Sequence, residues 1–240
     1  MSHDAAPALL VFVHGVGMWP GLFAPIGRQL PLLAHRCWTR PGYAGRPAVD
    51  DLGAQADQLA AFCHEVAAGR PVYLVGVSGG ATLGLAVALR HPSVLEGVVT
   101  HEPLIGPLQP TLHARVAAGG AALAEAPTPE VAEHFLQLLY GSDSLQAQDQ
   151  QAAAWARDHW RTVCDEVEAF AAFAPEERAL TDLEPRHLTT VGSRSAPERH
   201  DVARLLAQAG AEARVIDGSG HHVVVDAPLA FAHLIQDFIS

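Results

Sequence analysis

The 240-residue sequence contains no lysine: all 15 of its basic residues are arginine. Schiff-base catalysis and pyridoxal-phosphate anchoring both need a lysine amine. The phosphate-binding loop of nucleotide hydrolases needs a lysine after its glycines. Cysteine is scarce as well. Cys37, Cys63 and Cys164 are scattered and odd in number, with no metal-ligand spacing and no disulfide framework. Each reads as a small apolar residue rather than a nucleophile. No window approaches 18 uninterrupted apolar residues, so no membrane span is expected. The opening MSHDAAPALLVFVHG has no basic region and ends its short apolar stretch in His-Gly, unlike a signal peptide, so a cytoplasmic protein is expected. The basic face of a nucleic-acid binder is missing, and the net charge is −11. A dinucleotide fingerprint is missing too, because His14-Gly15-Val16-Gly17-Met18-Trp19-Pro20 lacks the third glycine of G-x-G-x-x-G.

What is present is apolar and punctuated. With 49% hydrophobic and 17% charged residues, the chain has the composition of a globular protein and the length to bury a full core. Ala8 to Val13 is a short apolar run that reads as a buried strand broken at His14-Gly15. Leu22 to Leu33 has helical spacing, and Cys37-Trp38-Thr39 reads as a short strand before the turn-rich RPGYAGRP. Asp50 or Asp51 is placed to cap a helix that runs to about Ala68. A strand from Val72, a helix after Gly79 and a strand over Val94 to Thr100 follow. From 106 to 182 strand-like runs vanish and alanine, glutamate, glutamine and leucine dominate, which predicts a helical insertion. Alternation then resumes with a strand at Leu188 to Val191, a helix at Glu198 to Ala209, a strand at Ala213 to Ile216 and a last helix at Pro228 to Ile239. Short apolar strands alternating with amphipathic helices predict an α/β fold, a mostly parallel sheet of about six strands covered on both faces. Ligands on such sheets bind beyond the carboxyl ends of the strands. His14, Ser78, Glu102 and the loop at Gly192 should therefore gather along one edge.

Residues 74 to 84, LVGVSGGATLG, set Ser78 between glycines where a strand becomes a helix. Gly76-Val77-Ser78-Gly79-Gly80 fits the nucleophile elbow G-x-S-x-G, a sharp turn that exposes its central side chain at the top of a sheet. A glycine-rich turn with an ordinary N-cap serine is the plainer alternative. A serine hydroxyl needs a base to take its proton and donors to hold the oxyanion that forms. The base candidate is His221, in Asp217-Gly218-Ser219-Gly220-His221-His222 after the last strand, with His222 as its competitor. Candidate donors are the backbone N–H of Val16, in the loop after the first strand, and that of Gly79.

HGVG after the first strand, GVSGG at the elbow and GSGHH before the last helix occur in the order of the α/β-hydrolase superfamily, which this chain resembles along nearly its whole length. The resemblance implies a serine triad without cofactor or metal. It makes residues 1–105 and 183–240 the hydrolase core and 106–182 a helical cap. The family often places the triad aspartate about three residues past a glycine after the penultimate strand. Here Val191-Gly192-Ser193-Arg194-Ser195 puts Ser195 there, and a serine carries no negative charge. Some members, including many haloalkane dehalogenases, carry the acid one strand earlier. Glu102, in Thr100-His101-Glu102-Pro103, occupies that place, and the order Ser78, Glu102, His221 matches nucleophile, acid, base. A serine nucleophile argues against dehalogenation itself. Glu198 and Asp201 remain as alternatives, although acids there also suit the first turn of a helix.

The chemistry implied is acyl transfer to water on a small carboxylic ester, lactone or thioester. Same-fold lyase, carbon–carbon hydrolase and perhydrolase reactions stay open, as does a silent binding module. Met18 and Trp19 beside the oxyanion loop, and Tyr140 and Trp155 in the insertion, are the expected pocket residues, with Trp19 favoured. Phe23, Phe135, Leu138, Leu139 and Trp160 are further candidates. The expected partner is a small molecule, neither nucleic acid nor membrane, and a homodimer stays open. The acidic balance disfavours strongly anionic substrates, subject to the local field.

Overall fold

A computed structural model describes residues 7–140 and 150–240. The first residues of the N-terminal reading, and 141–149 within the helical insertion, lie outside the described residues.

Six strands form one sheet: β1 (Leu9–Val13), β2 (Ala34–Trp38), β3 (Val72–Val77), β4 (Gly97–His101), β5 (Arg186–Gly192) and β6 (Glu212–Ile216). Their order is β2-β1-β3-β4-β5-β6 and every pairing is parallel. Every residue of β1, LLVFV, and of β3, VYLVGV, is buried. Both faces of the central sheet are covered, which is why these strands read as unbroken apolar runs. The edge strands β2 and β6 instead carry exposed His35, Arg36 and Arg214, charges that discourage pairing with another chain.

Helices α1 (Ala24–Gln29), α2 (Leu52–Ala67) and α3 (Gly79–Arg90) connect the first four strands. Asp51 caps α2, its carboxylate accepting the Ala54 N–H at 2.6 Å, a contact worth about 1 kcal/mol. Two boundaries depart from the sequence expectation. Leu22 to Leu33 is not one helix: Pro20–Phe23 forms a 3-10 turn, and α1 stops at Gln29, because Pro31 disfavours helix in the residue before it. Val94 belongs to a 3-10 turn begun by Pro92, and the strand starts at Gly97.

Between β4 and β5 come α4 (Pro110–Glu125), α5 (Pro129–Tyr140), α6 (Gln150–Asp158), α7 (Trp160–Ala171) and α8 (Glu177–Thr181). No strand occurs among the described residues of this segment. Helix α7 packs against both α4 and α5, burying Leu123, Leu136, Val163 and Phe170. After β5 come α9 (Pro197–Gln208), the short α10 (Val223–Asp226) and α11 (Pro228–Ile239). Since all strands run one way, the loops after β1, β3, β4, β5 and β6 open on a single edge, and the helices of the insertion close over it. No helix among the described residues is long and apolar enough to cross a membrane.

Candidate active site

Ser78 follows β3 and caps α3 with φ 56° and ψ −124°, a backbone region that a side chain-bearing residue enters only at a cost of order 1–3 kcal/mol. Its neighbours explain how the turn closes. A Cβ on Gly76 would fall 2.3 Å from the Gly80 carbonyl oxygen, and one on Gly80 would fall 2.2 Å from that of Val13. Both obstacles are backbone, so only glycine fits at either position. The strain aims the Ser78 hydroxyl at the loop after β6.

His221 receives it there. Its Nε2 lies 2.9 Å from Ser78 Oγ and its Nδ1 lies 2.6 Å from Glu102 Oε2. All three residues are buried. Glu102 follows β4 directly, at φ 51°. Its second oxygen, Oε1, accepts the Gly192 N–H at 2.9 Å and the Ser195 hydroxyl. Ser195, where an acid was looked for in the sequence and a serine found, thus hydrogen-bonds the Glu102 carboxylate. The Arg199 guanidinium lies 3.3 Å from Oε2. Burial by itself raises the Glu102 pKa, but His101, His221 and Arg199 together hold it well below the usual carboxylate range. Burial, aided by Arg199, pulls His221 down to about 3. The site at rest is therefore a carboxylate and a neutral imidazole.

The alternative residues are engaged elsewhere. Glu198 pairs with Arg115, and Asp201 with Arg204 and Gln109. His222 packs under the Tyr140 ring, 4.9 Å between centroids. His101 escaped the sequence reading although it adjoins Glu102. Its Nδ1 meets Thr190 Oγ1 at 2.9 Å, and its Nε2 meets the Gly220 carbonyl at 3.3 Å, which ties the His221 loop to β4 and β5.

The loop after β1 carries Val16, which lines one cavity together with Ser78 and Gly79. No described residue accepts the Val16 or the Gly79 N–H. The loop is braced from three sides. His14 Nδ1 donates to the Gly15 carbonyl at 2.9 Å while Nε2 accepts the Arg40 N–H at 3.3 Å. Burial, with Arg40 nearby, takes His14 down to about 3, the neutral form that this donor–acceptor split requires. The Gly17 N–H donates to the Tyr43 hydroxyl at 2.8 Å, and the Tyr140 hydroxyl donates to the Val16 carbonyl at 2.8 Å.

The cavity encloses about 330 Å³, open mouth included. The insertion roofs it with Val116, Phe135, Leu139, Val167 and Phe170, and Arg199 stands in its wall. Three of the four favoured pocket residues lie elsewhere. Met18 is buried and its sulfur accepts the Gly15 N–H at 3.2 Å. Trp19 packs edge-on against Trp155 at 4.7 Å, and Trp155 stacks on Tyr43 at 5.9 Å. These rings hold the insertion to the core, because large aromatic surface is best buried at a packing interface. Tyr140 alone is at the site, its ring stacked on that of His221 at 5.2 Å. Of the further candidates, Phe135 and Leu139 line the cavity, Phe23 is buried against Phe12, Leu138 is exposed, and Trp160 packs on the core.

A second buried network was not legible in the sequence. Arg40, fully buried, forks onto Glu166 of α7, and the Tyr43 hydroxyl donates to Glu166 Oε1 at 2.6 Å. No group of three metal-ligating side chains occurs among the described residues.

A model of the alpha/beta hydrolase family matches residues 10–234. No curated protein matches the sequence at a significant level. Among solved structures, MenH from S. aureus aligns with a TM-score of 0.79 at 14% identity, over 98% of this chain and 95% of its own. The enol-lactonase from Burkholderia xenovorans LB400 gives 0.77 at 19% identity, over 100% of this chain and 93% of its own. A thermophilic esterase from Thermogutta terrifontis gives 0.75 at 18%, over 98% and 90%. At such identities the likeness is one of fold.

Proposed function

The chain belongs to the alpha/beta hydrolase family, and from that premise we propose that it is a serine hydrolase cleaving a small-molecule carboxylic ester, lactone or thioester through an acyl-serine intermediate. The observation that carries this reading is the continuous line from Ser78 Oγ to His221 Nε2 at 2.9 Å and from His221 Nδ1 to Glu102 Oε2 at 2.6 Å. Residues 1–105 and 183–240 act as the core, and 106–182 act as a cap that keeps bulk water from the cavity.

Ser78 Oγ attacks the substrate carbonyl while His221 Nε2 takes its proton. Glu102 holds Nδ1–H in place and stabilises the imidazolium that forms. The N–H groups of Val16 and Gly79 hold the oxyanion, aided by the N-terminal end of α3. Collapse of the tetrahedral intermediate expels the leaving group, which takes the proton from His221 Nε2. A water then gives its proton to the same nitrogen and attacks the acyl-serine; the C–Oγ bond breaks, the carboxylic acid leaves, and Nε2 returns the proton to Ser78 Oγ. Burial keeps His221 neutral before attack, so its lone pair is available. The enol-lactonase and esterase named among the similar structures fall within this range of bonds.

Intact mass after exposure to a fluorophosphonate tests the reading. One adduct on the wild type, none on Ser78→Ala and slowed addition on His221→Ala are expected. A folded wild type that stays unlabelled and also turns over none of a panel of small esters, lactones and thioesters rules the acyl-serine mechanism out.

A further inference from the structure

The cavity over Ser78 has one charged wall residue. Leu104, Val116, Phe135, Leu139 and Phe170 line it with apolar surface, and Arg199 is the exception. Arg199 leaves the first turn of α9 and is 8% exposed. Its Nε lies 3.3 Å from Glu102 Oε2, and its Nη1 reaches the Glu102 carbonyl at 3.5 Å. Glu102 is a crowded partner. Its Oε2 is already committed to His221 at 2.6 Å, and its Oε1 takes the Gly192 N–H and the Ser195 hydroxyl. A guanidinium offers five N–H donors, and no described residue accepts from Arg199 Nη2. No Arg199 nitrogen is both partnerless and sealed from solvent, so the free edge is open to accessible space, and Arg199 is one of the residues that line the cavity.

Charge nearby does not fill that need. Glu198, the next acid on α9, is taken by Arg115. Glu102 meets the guanidinium at Nε, and the donor edge left over among apolar walls favours a further acceptor. The planar guanidinium fork matches a carboxylate in geometry. The chain's net charge of −11 opposes anions at a distance, but solution screens exposed charges beyond about 8 Å at physiological ionic strength. Within the cavity the contact charge decides. The free space over Ser78 is small, so the anion and the scissile carbonyl belong to one short molecule.

We propose that Arg199 binds a free carboxylate of the substrate, making the preferred substrate a short ester, lactone or thioester that carries a carboxylate besides the bond to be cleaved. This rests on the acyl-serine reading above. Arg199 thereby touches both Glu102 and substrate, and the two roles separate in measurement.

Two matched pairs test it: monoethyl glutarate against ethyl pentanoate, with the carboxylate on the acyl side, and 3-(butyryloxy)propanoate against propyl butyrate, with it on the alcohol side. In the wild type kcat/KM for the charged member of one pair is expected to exceed that of its neutral partner by about tenfold or more. Arg199→Gln lowers both members through Glu102, yet collapses that ratio at least about tenfold, and Arg199→Lys restores part of it. Calorimetric binding of free glutarate to Ser78→Ala, lost on adding Arg199→Gln, is the readout that needs no turnover. Equal losses on charged and neutral esters, a wild type that prefers the neutral members, or glutarate binding that is absent or indifferent to Arg199 would each overturn the proposal. Fluorophosphonate labelling of Ser78 separates such an outcome from a failure of the acyl-serine mechanism.

Discussion

Of the described glutamates the two most deeply buried each lie beside an arginine, and the molecule treats them oppositely. Glu102 lies at the carboxyl edge of the sheet and Glu166 on α7 of the insertion, 2% and 4% exposed. Burial pushes both pKa values up. It wins at Glu166, which rises to about 7 against the pull of Arg40 and Tyr43, with Asp165 adding to the rise. It loses at Glu102, where His101, His221 and Arg199 hold the carboxyl well below its usual range. Both have a guanidinium, so an ion pair alone does not set the outcome. At Glu102 the loops after β4, β5 and β6 converge, and their N–H, hydroxyl and imidazole donors are placed by six strands in register. Glu166 has Arg40 and a single hydroxyl. A carboxylate stays ionised out of water when enough donors surround it, and the sheet edge supplies more of them than a helix face.

The sharpest break of that contrast is Glu102→Gln. The amide offers the His221 Nδ1 side a donor or a neutral oxygen, which removes the compensation for imidazolium. The kcat is expected to fall by about 10³–10⁴-fold with circular dichroism unchanged. Retained activity there, with loss on Glu198→Gln or Asp201→Asn, would move the acid to α9.

The next effect is one of stability and pH. Glu166 has its folded pKa raised from 4.5 to about 7. Its contribution is therefore complete below pH 4.5 and is lost as pH rises towards 7. Relative to Glu166→Gln, which does not titrate, the wild type loses stability over that window, by at most about 3 kcal/mol. His221, His14 and His187, pulled down by burial, act with the opposite sign, present above their unfolded value and lost as pH falls. The difference between the two proteins in urea melts cancels them, and a gap that stays flat with pH would show that Glu166 does not titrate there.

The smallest expected effect is Ser195→Ala. It removes one of several hydrogen bonds to the Glu102 carboxylate, worth about 1.5 kcal/mol at the low end for a charged acceptor, or roughly a tenfold drop in kcat. Because the change acts through Glu102, the acid limb of the pH–rate profile should move upward while KM holds. A shift in KM alone would make Ser195 a pocket residue rather than a positioning one.

The fold was legible because its signals are local. Residues 72–90 read as strand, elbow and helix from two glycines and an apolar run, and Pro228 opened the last helix where expected. Ser78, His221 and Glu102 were legible as candidates because each ends or follows a strand, and parallel strands bring such positions to one edge. The boundaries at Leu22 and Val94 were not, since a proline-led 3-10 turn and a helix or strand share the same apolar letters. Pocket residues were hard to read for a similar reason: Trp19 and Trp155 are large and apolar and pack on each other, and sequence cannot divide such residues into packing and lining.

The sequence by itself therefore determined the alternation of strand and helix, the turn that strains Ser78 and the absence of any lysine for other chemistries. Only the tertiary structure decided which carboxylate meets His221, that Ser195 hydrogen-bonds that carboxylate, and that Arg199 stands in the cavity wall. Those are contacts between residues 90 or more positions apart. Their distances follow from strand register and helix packing, which no local pattern of residues encodes.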